Sequence, residues 1–278
     1  MTALAGRTVV VTRPRDQAAG LVALLQADGA RVLACPTVEI VPVGLTDELR
    51  AAIAHLDDYQ TVIFTSANGV ALFCDRLRDC GREPAALASC ELVAIGPATA
   101  AALDERGLVA SLVPEEYAAE GILEAFEARA RRLAGRRVLL ARAREARRLL
   151  PDELRRRGAT VDVVAVYDAV PVAALACPPA DIERADYVTF TSSSTARHFV
   201  TLMGRDGLAG RLAGVRLASI GPVTSATLHE LGLPVAVEAA TYTAAGLAAA
   251  LAVDAGGACA AGGPATLGRP AFPGTLGP

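Results

Sequence analysis

TVIFTSANGV, residues 61–70, reads as a buried strand that runs straight into a helix. Val62, Ile63 and Phe64 give the short apolar run of a strand covered on both faces. Thr65, Ser66 and Asn68 cluster where the strand must stop, and such side chains cap the free N–H groups of a helix's first turn. A turn of this kind attracts anions. Every α/β unit needs a capped helix start, so one such stretch means little alone. It recurs: YVTFTSSSTARH, residues 187–198, has the same order, Phe190 leading into Thr191, Ser192, Ser193, Ser194 and Thr195.

The repeat extends outward in both directions. GRTVVVTRP from Gly6 matches GRRVLLARA from Gly135, with Arg13 falling on Arg142. Gly29-Ala-Arg-Val then answers Gly158-Ala-Thr-Val, each glycine standing where a helix end needs φ > 0. AIGPATA at 94–100 answers SIGPVTSA at 219–226, and both lead into helices that end in glycine, at Gly107 and Gly232. Tyr117-Ala-Ala-Glu-Gly corresponds to Tyr242-Thr-Ala-Ala-Gly. The pattern is an internal duplication, with copies at about 6–126 and 135–251.

With 278 residues and 53% hydrophobic content, the chain can bury two cores. A net charge of −3 argues against a broad nucleic-acid surface. All 27 basic residues are arginine, which excludes a Schiff-base lysine and a phosphate-loop lysine. Neither a signal peptide nor an apolar run of about 18 residues is evident, and the expected place is the cytoplasm. Six cysteines without a CxxC pair and three histidines without ligand spacing point to no metal, and His198 and His229 read as solvated helix positions.

In chain order, Asp16 is the expected N-cap of the first helix. Arg13 and Arg142 each follow a strand directly, at the end of a sheet where open α/β folds bind ligands and where a guanidinium can hold a carboxylate bidentately. The same residues also suit a solvated charged surface. Residues 32–43, with Pro36 and Pro42, and residues 161–172, ending near Pro171, read as two extended connectors. Tyr167 is a lone phenol in the second, where packing alone would also account for it. From residue 254 the Gly, Ala and Pro content predicts a disordered tail.

TRP near the start, FTSANGV, AIGPATA, a VY pair in the second connector, a second TS loop, SIGPVTSATL and TYTAAGL, in this order over about residues 6–252, resemble the uroporphyrinogen-III synthases, the HemD family. The resemblance implies two similar α/β domains with parallel sheets, joined by a two-stranded antiparallel connector. The division would be residues 1–36 with 172–253, residues 37–171, and a tail at 254–278. It implies a lyase of tetrapyrrole (haem, sirohaem, cobalamin) biosynthesis that cyclises hydroxymethylbilane to uroporphyrinogen III, inverting the terminal pyrrole ring and losing water. No cofactor or metal is implied. The substrate would come from hydroxymethylbilane synthase to a monomer, with no nucleic acid or membrane partner.

Tyr167, at the VY position, is the implied proton donor to the departing hydroxyl, and Thr224, in the Ile-Gly-Pro-x-Thr motif, an implied substrate-binding hydroxyl. The expected substrate-binding set adds Thr65, Ser66, Asn68 and Gly69 from the first TS loop, and Gly96 and Thr99 from the first IGP loop. Thr191, Ser192 and Ser193 come from the second TS loop, Gly221 and Ser225 from the second IGP loop, with Arg13 and Arg142 beside them. A non-enzymatic two-domain sensor of anionic ligands on the same fold is the alternative.

Overall fold

Residues 2–129 and 132–260 are described by the structure, a computed structural model. The strands of the first copy are β1 (Thr8–Val11), β2 (Arg31–Ala34), β3 (Val38–Pro42), β4 (Thr61–Phe64) and β5 (Glu91–Ala94). Those of the second are β6 (Arg137–Ala143), β7 (Thr160–Pro171), β8 (Tyr187–Phe190), β9 (Arg216–Ser219) and β10 (Val237–Glu238). They form two five-stranded sheets, ordered β10-β9-β8-β1-β2 and β3-β7-β6-β4-β5.

Both faces of each sheet are apolar, as the unbroken runs Val9–Val11 and Val62–Phe64 require, so each sheet is covered twice. On the first sheet, α1 (Ala19–Ala27) brings Leu21 and Leu25 to one face. α2 (Asp47–Ala54), α3 (Ala67–Asp79) and α4 (Pro97–Asp104) set Ile53, Phe73 and Leu103 on one face of the second sheet. α5 (Ala119–Ala128) and α6 (Leu149–Arg156) set Phe126 and Leu154 on its other face. The remaining face of the first sheet takes α7 (Pro179–Glu183), α8 (Ser193–Met203), α9 (Leu208–Arg211) and α10 (Pro222–Glu230), through Ile182, Phe199, Leu208 and Leu228. α11 (Ala244–Ala260) joins α1 with Leu247 and Leu251. Each such Leu or Phe contributes about 1.5–3 kcal/mol relative to exposure, so each sheet has a core on either side.

The duplication reappears in the register. β9-β8-β1-β2 in one sheet and β5-β4-β6-β7 in the other are the same arrangement. Val9 stands opposite Tyr187 where Val138 stands opposite Thr61, and Thr8 opposite Arg31 where Arg137 meets Thr160. Each sheet therefore joins the first half of one copy to the second half of the other. Gly29 and Gly158, the matched helix ends, have φ of 86° and 88°, a region open to glycine at little cost.

Three expectations are corrected. Neither 32–43 nor 161–172 is wholly a connector: β2 is a parallel edge strand of the first sheet, the first half of β7 pairs parallel with β6, and only β3, beyond Pro36, pairs antiparallel with Tyr167–Pro171 of β7. Pro36 cannot donate to a ladder, so the chain changes sheets there. Asp16 is not a helix cap, since it lies in a 3-10 turn at Arg15–Gln17 and α1 starts at Ala19 without a side-chain cap. The tail does not start at 254, because α11 continues to Ala260. Ala255 is in the core and Asp254 accepts hydrogen bonds from the Tyr187 phenol (2.8 Å) and Arg216 Nε (2.7 Å), which hold a segment whose composition alone would not. The rest of the expected tail, 261–278, lies outside the described residues.

Candidate active site

The loops at the carboxyl ends of both sheets' strands line one cleft between the domains. It consists of two adjoining cavities, of about 480 and 330 Å³, with Arg13, Tyr117, Thr191 and Thr224 among the residues they share. Such an edge collects helix N-termini, and those of α3, α8, α4 and α10 open here in two kinds.

α3 and α8 are capped by serine. Ser66 Oγ accepts from the Gly69 N–H at 3.0 Å, and Ser192 Oγ accepts from the Thr195 N–H at 3.2 Å. α4 and α10 start differently. Pro97 and Pro222 follow N-cap glycines, Gly96 and Gly221, and no side chain caps either first turn. Proline suits the first helical position because its missing N–H is not needed there; the Thr99 and Thr224 N–H groups bond to the glycine carbonyls, and the N–H groups of Ala98 and Val223, which no described residue takes up, suit an anion. Thr65, Thr99, Thr191 and Thr224 all line the cleft, and none of their hydroxyls bonds to a described residue.

Tyr167 lies on the cleft wall, 8% exposed, with its phenol oxygen 2.9 Å from Ser66 Oγ. Burial pushes the phenol above its usual range, against the pull of the Ser66 hydrogen bond, so it is protonated at neutral pH. This is the state a proton donor needs.

The two matched arginines are used differently. Arg13 lines both cavities and has neither an ion pair nor a hydrogen bond to a described residue. Burial lowers its pKa, with Asp16 acting oppositely, yet a guanidinium so placed stays charged. Arg142 is 7% exposed and donates to the carbonyls of Arg147 (2.7 Å) and Ala146 (2.9 Å). The expected bidentate grip on a ligand is thus replaced by a hold on the loop after β6, although Arg142 still borders the cleft.

Ser193 and Asn68 line the larger cavity, Ser193 bonded to Thr227 (2.7 Å) and Asn68 accepting from Gln17 Nε2 (2.9 Å) across the domains. Gly69 and Ser225 do not line it. Gly69 faces β6, where an added Cβ would meet Ala141 O at 3.2 Å. Ser225 points inward to Ser219 (2.6 Å) and Glu238, about 100° round the helix from Thr224 and on the side away from the cleft-lining Val223 and Thr224. His198 is half-buried, its Nε2 3.3 Å from the Ala169 carbonyl of β7, so it is not the solvated position expected. Sequence reasoning missed Gln17, which no motif marks, and the cleft positions of Tyr117 and Tyr242, whose signal was their recurrence.

Among the described residues, no cluster of His, Cys, Asp and Glu could hold a metal, and no helix is long and apolar enough to cross a membrane. The profile of the family "uroporphyrinogen-III synthase HemD" matches residues 19–249. The uroporphyrinogen-III synthase of Synechococcus elongatus is 35% identical over 89% of this chain and 95% of its own. That of Chlorobaculum parvum is 28% identical over 82% and 91%. In fold, the chain is similar to a mutant uroporphyrinogen III synthase of Thermus thermophilus (TM-score 0.64, 20% identity, 90% of this chain and 99% of that one). It is also similar to the Helicobacter pylori enzyme (TM-score 0.58, 20% identity, 89% and 99%).

Proposed function

This chain belongs to the uroporphyrinogen-III synthase family, and from that premise we propose how its cleft works. It is an enzyme whose substrate is a linear tetrapyrrole, hydroxymethylbilane, which it closes to uroporphyrinogen III. The C–O bond of the substrate's hydroxymethyl group breaks, a proton joins the departing hydroxyl as water, and an electrophilic azafulvenium cation remains. The terminal ring attacks it through its substituted carbon, giving a spiro intermediate; the ring's original bond to the neighbouring methylene then breaks, and its unsubstituted carbon bonds to that methylene, which inverts the ring. A proton is then lost.

Unassisted closure gives the non-inverted isomer, so the protein's chief task is to hold a flexible chain in the productive orientation. One observation carries this reading: hydrogen-bonding groups without partners converge in a single cleft. They are the Arg13 guanidinium, the hydroxyls of Thr65, Thr99, Thr191 and Thr224, and the uncapped first turns of α4 and α10. Each pyrrole bears an acetate and a propionate, and each helix N-terminus favours a carboxylate by about 0.3–1 kcal/mol. Arg13 adds a charge-assisted contact. Tyr167 donates to the leaving oxygen, Ser66 holding its phenol in place.

In this reading the protein is a hydro-lyase, working as a cytoplasmic monomer on hydroxymethylbilane taken from its synthase. No observation favours the non-enzymatic sensor. The test is incubation with hydroxymethylbilane and separation of the product isomers. The type III isomer in excess is expected, and the type I isomer alone would overturn the reading.

A further inference from the structure

Tyr117 and Tyr242 hold the same place in the two copies, just before α5 and α11. Each ring lies against the glycine that opens the IGP helix of its own domain. A Cβ added at Gly96 would come 3.2 Å from Tyr117 Cγ, and one at Gly221 2.8 Å from Tyr242 Cδ1. Backbone thus backs both rings closely, and neither hydroxyl bonds to a described residue. Across the cleft the rings meet edge to face, centroids 6.1 Å apart and planes at 90°. Phe64–Phe73 and Phe190–Phe199, by contrast, each pack inside one domain. Both tyrosines line the smaller cavity, and Tyr117 also lines the larger.

Two half-buried aromatic faces with idle hydroxyls suit a ligand with an aromatic ring more than one that needs phenol hydrogen bonds. Directly behind them are the uncapped N-termini of α4 and α10, which suit carboxylates. A flat ring carrying short acid side chains matches both features. We propose that Tyr117 and Tyr242 form an aromatic clasp that opens to take one pyrrole ring of the linear tetrapyrrole, with that ring's acid groups at the starts of α4 and α10. The clasp rests on the reading of the cleft as a tetrapyrrole site. Each tyrosine occupies the place the pyrrole takes against the other, so the same pair links the two domains.

The experiment compares Tyr117→Leu and Tyr242→Leu with the matching Phe variants. Each Leu change is expected to raise KM for hydroxymethylbilane about tenfold while kcat changes less, and Phe recovers most of that loss because the ring is what binds. Unchanged KM in folded Leu variants, or a loss that Phe does not recover, overturns the clasp. Should the Leu variants not fold, near-UV circular dichroism decides, since the chain has five tyrosines and no tryptophan. Uroporphyrinogen III, added under reducing conditions, is expected to alter the tyrosine band of the wild type much more than that of the Tyr117→Phe/Tyr242→Phe double variant, which keeps only Tyr167 in the cleft. An equal change in both overturns the proposal. A wild type that makes no type III isomer defeats the tetrapyrrole reading itself, which these outcomes keep separate.

Discussion

The β4–α3 and β8–α8 turns are one turn built twice, and the third residue after each serine sets them apart most. Ser66 (φ −167°, ψ 156°) and Ser192 (φ −166°, ψ 161°) cap their helices from the same conformation. Three residues on, the second turn has Thr195, whose hydroxyl lies 3.2 Å from the Ser192 N–H and closes a capping box. The first has Gly69, so the Ser66 N–H has no such partner, and the Ser66 hydroxyl meets Tyr167 where that of Ser192 meets Ser194 (2.9 Å). Tyr167 has no twin either. Val38 stands as far from Arg13 as Tyr167 does from Arg142, and it offers no proton. The duplication supplied two serine-capped loops, and only one of them meets a phenol. In the proposed mechanism, binding is shared between the domains and chemistry is one-sided.

Tyr167→Phe breaks this asymmetry most severely. It should fold normally and lose on the order of 10²–10⁴ in initial rate, the range of general acid catalysis. What product it makes should still be the inverted isomer, because the loops place the ring. Rate, isomer ratio and thermal melts read the outcome, and a normally folded variant with full rate would leave Tyr167 a packing residue.

The matched arginines sharpen the comparison next. Arg13→Gln removes an unpaired cation from the cleft and should raise KM roughly 10- to 100-fold with little change in Tm. Arg142→Gln leaves the carbonyls of Ala146 and Arg147 short of donors and should lower Tm instead. Equal KM effects would show that the two are still used alike.

The arginine pair also shows what the sequence could reveal. Matching Arg13 to Arg142 located two equivalent strand ends, and the sheets repeat that match in their register. Equivalent backbone does not dictate equivalent use. Whether a guanidinium turns to a ligand or to Ala146 and Arg147 depends on the loop that follows it. Ser225 departs from expectation for a similar reason, since its partner Glu238 lies on another strand and only the fold brings it near. At the C-terminus, composition suggests disorder from residue 254, while a single residue, Asp254, tied to Tyr187 and Arg216, outweighs it.

Asp254 carries the next prediction, confined to the first domain. Ending the chain at 253 removes it together with Ala255, and should lower stability by about 1–3 kcal/mol, or roughly 2–4 °C in Tm per kcal/mol at this size. An unchanged melt would mean the end of α11 contributes nothing.

The smallest effect is expected at alkaline pH. Burial first, and then the Asp254 hydrogen bond and charge, raise the Tyr187 phenol to about 12. Folding favours its neutral form, so its contribution is full below the unfolded value of about 10 and is lost as pH rises through about 12. Tm measured between these limits should fall less steeply in Tyr187→Phe than in the wild type. Identical slopes would remove Tyr187 from alkaline unfolding.

The most direct test of one-sided chemistry is the pair Ser66→Ala and Ser192→Ala, assayed side by side for kcat, KM and Tm. Each removes the same N-cap, so both should lose about 1 kcal/mol of stability. Ser66→Ala also frees the Tyr167 phenol, and its kcat should fall on the order of tenfold, whereas Ser192→Ala should act on KM and spare kcat. Equal losses of kcat in the two variants would contradict the account, because the loops would then contribute alike to the chemical step.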